Sequence, residues 1–457
     1  MNIDLTAKVA YPKLTLYAFH LYKNLAHDSK PVNNSNHLWH KCQEIGKKLG
    51  IPKLENLSIP ENQQIFNDNI ITFTAIKHEN NHHLSGEINR LRIHDTYALD
   101  LTFRYPHSKV QLSNLKGLNQ DNCLLPTNIN ASLGQTLVFF AQPVESIKDE
   151  KTFADTCVKA LITEAEFNKL NISCQRKGKL LNSPIFEYNN NADSPEQQCH
   201  ILIWLNTNQQ TTDLEEAGEY YYPFIDLLNC RSKIIYARSE SRWCYQQARK
   251  EYSQLEAKVN QFNKIKDKSV DYKLKEFNQW LNEIPEISFN YARYLRDLEL
   301  QRNTIITNVK NYKLYLDKIK LIWFEDDLEF LSSFLELAED TFIEQIDIDL
   351  AYLTPAQSLF EQLIESIRGI VEIEQTKRER NLNNTIQILG IGFGGGAIIS
   401  GVVTQHINKI NQPLATISLN NPPHPFYASL FISFAATLFF AFICWLITKW
   451  KNRQLNP

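Results

Sequence analysis

Residues Ile386–Val403 have the sequence IQILGIGFGGGAIISGVV, and residues Phe426–Trp450 have the sequence FYASLFISFAATLFFAFICWLITKW. Each run is at least 18 residues long and carries no charged side chain before Lys449. A bilayer core about 30 Å thick needs roughly 20 such residues per helix, and hydrocarbon offers no partner for free peptide groups. The two runs therefore predict a two-helix transmembrane hairpin over residues 385–457.

The two predicted membrane helices differ in side-chain size. The first contains six glycines, several of them four residues apart, so that one helix face has almost no side chains and allows close approach of another backbone. The second is rich in phenylalanine, which suits contact with lipid. We expect the glycine-rich helix to lie at the centre of a homo-oligomer. The predicted helix-packing or pore-lining positions are Gly390, Gly392, Gly394, Gly396 and Ser400.

Flanking charge predicts the orientation of the hairpin. Basic residues precede the first helix and follow the second, whereas the connecting loop holds only Lys409. These residues are Lys377, Arg378 and Arg380 before the hairpin, and Lys449, Lys451 and Arg453 after it. We therefore expect cytoplasmic N- and C-termini, with loop 404–425 outside the cytoplasm.

Residues 1–218 have a mixed pattern that predicts an α+β or α/β cytosolic domain. Apolar and β-branched runs typical of strands cover Leu14–Leu21, Ile70–Ile76, Ile88–Phe103, Gln135–Ala141 and Cys199–Leu205. Thr152–Leu170 has the pattern of a helix. Eight scattered cysteines without a C-x-x-C pair, and an N-terminus without a secretory signal, favour reduced thiols in the cytosol.

Residues 219–384 predict a bundle or stalk of long helices, since this region holds few helix breakers. A coiled-coil-like spacing of apolar residues runs from Phe324 to Phe342. Charge is divided along these helices: residues 231–320 hold 19 basic and 11 acidic side chains, whereas residues 321–367 hold twelve acids and no lysine or arginine. This contrast predicts that basic and acidic helices pair side by side.

The acidic stretch also allows a second interpretation. In this interpretation, some of these carboxylates meet across subunits and bind a divalent cation, because hard cations prefer oxygen ligands. The candidates for such a site are Asp326, Asp327, Asp347 and Asp349.

Two short motifs match catalytic or cofactor patterns without the context that these patterns require. Gly390, Gly392 and Gly395 satisfy G-x-G-x-x-G, but a charged helix precedes them instead of a strand. His78, Glu79 and His82 satisfy H-E-x-x-H, a zinc motif that needs a helix, yet they lie between two predicted strands. His78 and His82 are candidate metal ligands on this match alone. We expect that the protein is not an enzyme, holds no cofactor and does not bind nucleic acid.

A cytosolic α/β domain, a long helical stalk and two C-terminal membrane helices with a basic tail resemble the CorA family of divalent-cation channels. That family is pentameric, with a first membrane helix that lines the pore. Its Gly-Met-Asn signature is absent here, since the methionine is Met1 alone, and the loop lacks acidic residues. The stretch from Ile367 to Gly396 also resembles C-termini of uncharacterised, largely cyanobacterial membrane proteins.

Two functions follow as expectations. The first is an oligomeric CorA-like channel or membrane effector with a cytosolic sensing domain. The second is a non-conducting membrane anchor that presents a cytosolic interaction domain. In both, the partners are the lipid bilayer and other copies of the chain, with the ion or ligand left open.

Overall fold

A computed structural model describes residues 5–22, 34–59, 70–74, 83–106, 109–404 and 425–454. The N-terminal half contains one mixed sheet with the strand order β2-β3-β4-β1-β6-β9-β8-β7, and β5 pairs with the start of β1. The strands are β1 Lys8–Leu21, β2 Ile71–Thr74, β3 Ser85–Ile93, β4 Thr96–Arg104, β5 Lys109–Gln111, β6 Gly134–Pro143, β7 Ser173–Leu180, β8 Ser183–Asn189 and β9 His200–Leu205. Among these strands, β6 and β9 are parallel, and the other pairs are antiparallel. The predicted α+β sheet domain is confirmed.

One face of the sheet carries the main hydrophobic core. Alternate residues of the central strands, such as Leu16 on β1, Phe139 on β6 and Ile203 on β9, are fully buried on this face. Short helices cover it with apolar stripes, including Trp39 on α1 and Val158 on α4. The helices of this part are α1 His37–Leu49, α2 Pro52–Glu55, α3 Pro126–Ile129, α4 Glu150–Leu161, α5 Glu164–Lys169 and α6 Gln209–Ala217, with 3₁₀ segments Leu112–Asn122 and Pro195–Gln197.

The opposite face of the sheet is more polar and lies against the start of the long helix α7, Tyr221–Lys266. Trp204 on β9 packs edge-on against Tyr220, with ring centroids 5.5 Å apart. The Tyr221 hydroxyl donates a 2.6 Å hydrogen bond to Asp100 Oδ2, and Asn89 Nδ2 donates to the same hydroxyl at 3.0 Å. Burial raises the pKa of Asp100 to about 6, although the hydrogen bond from Tyr221 lowers it in part.

The raised pKa of Asp100 makes its contribution to stability depend on pH. The folded state holds the proton more tightly than the unfolded chain, so this group favours folding at low pH, and the advantage is lost as the pH rises from about 4 to about 6. We expect Asp100→Asn to raise the free energy of unfolding by about 3 kcal/mol at pH 8, because the pKa is raised by about two units and one unit corresponds to about 1.4 kcal/mol, and to change it little at pH 4. Urea unfolding at the two pH values measures this difference. An equal change at both values would contradict the assignment.

Long helices make up most of the described residues after α6, as the sequence predicts. They are α7 Tyr221–Lys266, α8 Val270–Ile322, α9 Glu329–Glu336, α10 Glu344–Thr404 and α11 Pro425–Gln454, with a π-helical turn Leu337–Ile343 between α9 and α10. The chain divides into two compact units: the first comprises Met1–Gln254 and Ile287–Ser358, and the second comprises Leu255–Glu286 and Leu359–Pro457.

Within the first unit, basic and acidic helices pair as predicted. Arg242 on α7 forms an ion pair with Asp349 on α10, and Arg302 on α8 forms one with Asp347. Hydrogen bonds add to this packing, since the Tyr291 hydroxyl on α8 donates to the Leu353 carbonyl at 2.6 Å. The apolar seam is buried from Leu328 to Phe342, but Phe324 lies in a turn and is 94% exposed.

Within the second unit, the end of α7 and the start of α8 form a helical hairpin, in which the rings of Phe262 and Phe277 stack at 5.5 Å. Lys258 and Glu283 join the same two helices at 2.6 Å. Helix α10 meets α11 at Gly392, where an added Cβ would lie 3.2 Å from the Ala441 Cβ.

The predicted transmembrane hairpin is wrong for the part of the chain that the structure describes. The first apolar run lies at the end of α10 and the second within α11, yet no helix among the described residues is long and apolar enough to cross a membrane. The finding contradicts the predicted channel, the alternative membrane anchor and the integral-membrane topology; loop residues 405–424 lie outside the described ranges.

Candidate functional site

A cavity of about 740 Å³ opens in the first unit between the β7–β8 edge of the sheet, helix α7 and the π-helical turn. Four arginines and two acids line it, together with amide and aromatic side chains. The lining residues are Gln175, Arg176, Glu187, Asn189, Asn191, Ala192, Asp193, Gln198, Arg231, Ile235, Arg238, Ser239, Arg242, Trp243, Gln246, Phe334, Leu337 and Phe342. The cavity is large enough for a small organic molecule.

Helix α7 supplies three of the arginines. Arg231, Arg238 and Arg242 are separated by seven and four residues, a spacing that places them on one face of an α-helix. Arg176 comes from β7, which ends the sheet. The cavity therefore contains more positive than negative charge, and its positive side is the wall formed by α7.

A buried carboxylate holds two of these arginines in place. Glu187 on β8 is 4% exposed, and its Oε1 lies 3.7 Å from the Arg231 guanidinium, while its Oε2 lies 3.5 Å from that of Arg176. His200 on β9 lies 3.1 Å from Oε1 through its Nε2, and its Nδ1 lies 2.8 Å from the Thr136 hydroxyl. Thr136 and His200 are aligned on the parallel strands β6 and β9, so strand register builds this network.

The charge states of the network follow from its surroundings. Burial, and to a smaller extent the charge of Arg231, lower the pKa of His200 to about 4, so the imidazole is neutral at pH 7. Burial alone would raise the pKa of Glu187, but the hydrogen bond from His200 and the charges of Arg231 and Arg176 outweigh burial and lower the pKa to about 2. The neutral histidine thus donates from Nε2 to an ionised Glu187 and accepts from the Thr136 hydroxyl at Nδ1.

Helix α9 and the π-helical turn that follows it each place an aromatic ring against an arginine of α7. The Arg231 guanidinium lies 4.8 Å from the ring centroid of Phe334, and that of Arg238 lies 3.9 Å from Phe342. Seven residues separate the arginines but eight separate the phenylalanines. A π-helical turn accommodates the additional residue, so each ring faces its own arginine; such turns are frequent at functional sites.

The four arginines differ in how their charges are balanced. Glu187 balances Arg231 and Arg176, and Asp349 balances Arg242. Arg238 has no ion pair within 4 Å among the described residues, and its charged neighbours are Asp193 and Arg242. Burial and the charge of Arg242 both lower the pKa of its guanidinium. Arg238 is therefore the guanidinium that is open to a ligand in the cavity.

The predicted cation ligands have separate tasks in the structure. Asp326 accepts hydrogen bonds from the backbone amides of Leu181 and Asn182, each at 2.7 Å, and so holds the β7–β8 turn. Asp327 accepts from the backbone amide of Glu329 at 3.2 Å, at the start of α9.

Asp347 and Asp349 pair with arginines of the same chain. Within the described ranges, no three histidine, cysteine or acidic side chains come together as a metal site. His78 and His82 lie outside those ranges.

The predicted glycine positions lie in the second unit. Gly392 contacts α11, whereas Gly390 and Gly394 have nothing within 4 Å of an added Cβ. Gly396 and Ser400 fall within α10, but their surroundings lie outside the described part of the structure.

Comparisons with known proteins do not assign this chain to a family. No protein-family model, no curated protein and no solved structure matches the chain. The resemblance to the CorA family is therefore left untested by these comparisons.

Proposed function

We propose that the chain is a ligand-binding protein whose arginine-lined cavity takes a small molecule with a phosphate group. The observation that supports this proposal best is Arg238, which faces the cavity without an ion-pair partner among the described residues. Guanidinium groups bind phosphate oxygens in a planar, two-pronged geometry, which makes arginine the usual residue for such recognition.

The size and lining of the cavity favour a ligand larger than phosphate itself. A volume of about 740 Å³ is in the range of pockets for organic ligands. Leu337 and Trp243 contribute apolar surface next to Arg238, and both side chains are more than a third exposed. We infer that the anionic group meets Arg238 while an organic part lies against these two side chains.

We expect the full chain to bind inorganic pyrophosphate in isothermal titration calorimetry, and Arg238→Gln to weaken this binding at least tenfold. The loss follows because glutamine keeps a polar side chain but removes the charge and the two-pronged donor. Salt should weaken binding, since a site open to solvent is screened.

Arg249→Gln is the matched control, because Arg249 is an exposed arginine of the same helix outside the cavity lining. Its affinity for pyrophosphate should equal that of the unchanged chain. Equal binding by Arg238→Gln, or binding of citrate without binding of pyrophosphate, would contradict a phosphate site at Arg238.

We further propose that this is a binding activity without catalysis and that copies of the chain associate with one another. Self-association is supported by the second unit, where large apolar side chains of α11 are exposed, among them Phe431 at 73% and Phe434 at 65%. Exposed apolar patches of this kind mark interaction surfaces.

A further inference from the structure

A second cavity, of about 330 Å³, lies in the first unit on a different side of helix α7 from the arginine-lined cavity. Tyr236, Glu240 and Cys244 line it at four-residue spacing, and α8 contributes Tyr294 and Asp297. The arginine-lined cavity uses residues 231, 238 and 242 of the same helix. One helix thus presents different chemistry to two separate cavities.

Aspartate 95, in the turn between β3 and β4, provides the first sign of a ligand in this second cavity. Asp95 is 8% exposed, lines the cavity, and forms an ion pair with Lys233 through Oδ1. Its Oδ2 has no hydrogen-bond partner among the described residues. A buried carboxylate oxygen without a donor costs stability, so the site is suited to a ligand that brings one.

Glutamate 240 provides the second sign. It lines the cavity, forms no ion pair with the described residues, and burial raises its pKa. Asp297 also lines the cavity, but its Oδ1 pairs with Arg296 at 2.7 Å. The two basic side chains of the lining are already engaged, since Lys233 pairs with Asp95 and Arg293 lies over the ring of Tyr294 at 5.2 Å.

Aromatic rings complete the arrangement. Trp243 and Tyr294 meet edge to face with centroids 5.7 Å apart, and Tyr236 lines the same cavity. Aromatic faces attract ammonium groups and accommodate alkyl chains at the same time. A carboxylate without an ion pair, here Glu240, beside aromatic rings is the chemistry that recognises a small organic cation.

We propose that this second cavity binds a small organic amine in its ammonium form, with Glu240 and Asp95 Oδ2 as acceptors and with Trp243 and Tyr294 against its alkyl chain. The volume of about 330 Å³ lies at the lower end of ligand pockets, which suits a short amine or diamine rather than a large one. Trp243 lines both cavities, but the acceptors Glu240 and Asp95 line only this one and Arg238 lines only the other.

Titration of the full chain with 1,4-diaminobutane tests the proposal. We expect saturable binding, and Glu240→Gln should weaken it at least tenfold because the amide keeps the shape of the side chain but loses its charge. Glu256→Gln, an exposed position on the same helix, is the matched control and should leave the affinity unchanged. The neutral isostere 1,4-butanediol should not bind.

Two results would overturn the proposal: equal affinity of the diol and the diamine, or equal affinity of Glu240→Gln and the unchanged chain. Asp95→Asn serves as a second variant that should also weaken the diamine. Arg238→Gln should leave diamine binding intact, so failure of the phosphate site and failure of this site are distinguishable.

Discussion

Replacing Glu187 by alanine should lower the free energy of unfolding by about 3–5 kcal/mol, because the change leaves the Arg231 guanidinium buried without its carboxylate. The Arg231 side chain is only 7% exposed, so water does not replace the lost partner. Among the described residues, Arg231 also donates a 3.1 Å hydrogen bond to Gln198 Oε1. Urea unfolding followed by circular dichroism measures the loss.

The matched control for this change is Glu216→Ala, which removes an exposed glutamate and should cost less than about 0.5 kcal/mol. The double variant Glu187→Ala with Arg231→Met should recover part of the loss, since it removes the unpaired charge as well. A loss below about 1 kcal/mol in the single variant would show that Glu187 does not hold the arginines of the cavity.

The second large effect is expected at Gly178 on β7, where Gly178→Ala should destabilise the fold by about 2–3 kcal/mol. An added Cβ would lie 2.3 Å from the backbone oxygen of Asp327 and 2.7 Å from Phe330 Cδ1, so α9 would have to move away from the sheet. That displacement would also break the 2.7 Å hydrogen bond from the Lys179 amide to the same Asp327 oxygen.

Gly369→Ala should have the opposite effect on the free energy of unfolding. Gly369 lies inside α10 with nothing within 4 Å of an added Cβ, so alanine should stabilise the helix by up to about 1 kcal/mol. Thermal unfolding of both variants gives the comparison. A neutral Gly178→Ala would contradict the close contact between β7 and α9.

Much of the sheet can be predicted from hydrophobic alternation. The predicted strands at Leu14–Leu21, Gln135–Ala141 and Cys199–Leu205 lie in β1, β6 and β9. These are central strands, whose burial produces continuous apolar and β-branched runs.

The errors in the sheet arise where turns lack their usual residues. The predicted run Ile88–Phe103 is the hairpin of β3 and β4, and its turn residue His94 adopts a φ of 56° without a glycine or proline to mark it. The sequence does not predict the β7–β8 hairpin, because β7 contains many polar residues. The turn after β7 is formed by Leu181 and Asn182, both at positive φ, without a glycine to mark it.

The candidate site is less accessible from sequence. The spacing of Arg231, Arg238 and Arg242 is a usable signal, since it places all three on one helix face, but the excess of basic residues in this region predicts only pairing with acidic helices. Arg242 does pair with an acidic residue, Asp349, whereas Arg238 has no ion pair among the described residues. The contribution of Glu187 depends on strand order, and the positions of Phe334 and Phe342 depend on the π-helical turn, which no periodicity of apolar residues reveals.

The most direct test of the central claim is an anomalous difference map from crystals of the full chain soaked in sodium tungstate, a heavy analogue of phosphate. We predict a peak inside the arginine-lined cavity, with a tungstate oxygen within about 3 Å of the Arg238 guanidinium, the usual length of such a hydrogen bond. The peak should be absent from crystals of Arg238→Gln. A cavity without tungstate in the unchanged chain, with peaks only at other basic side chains, would contradict the account.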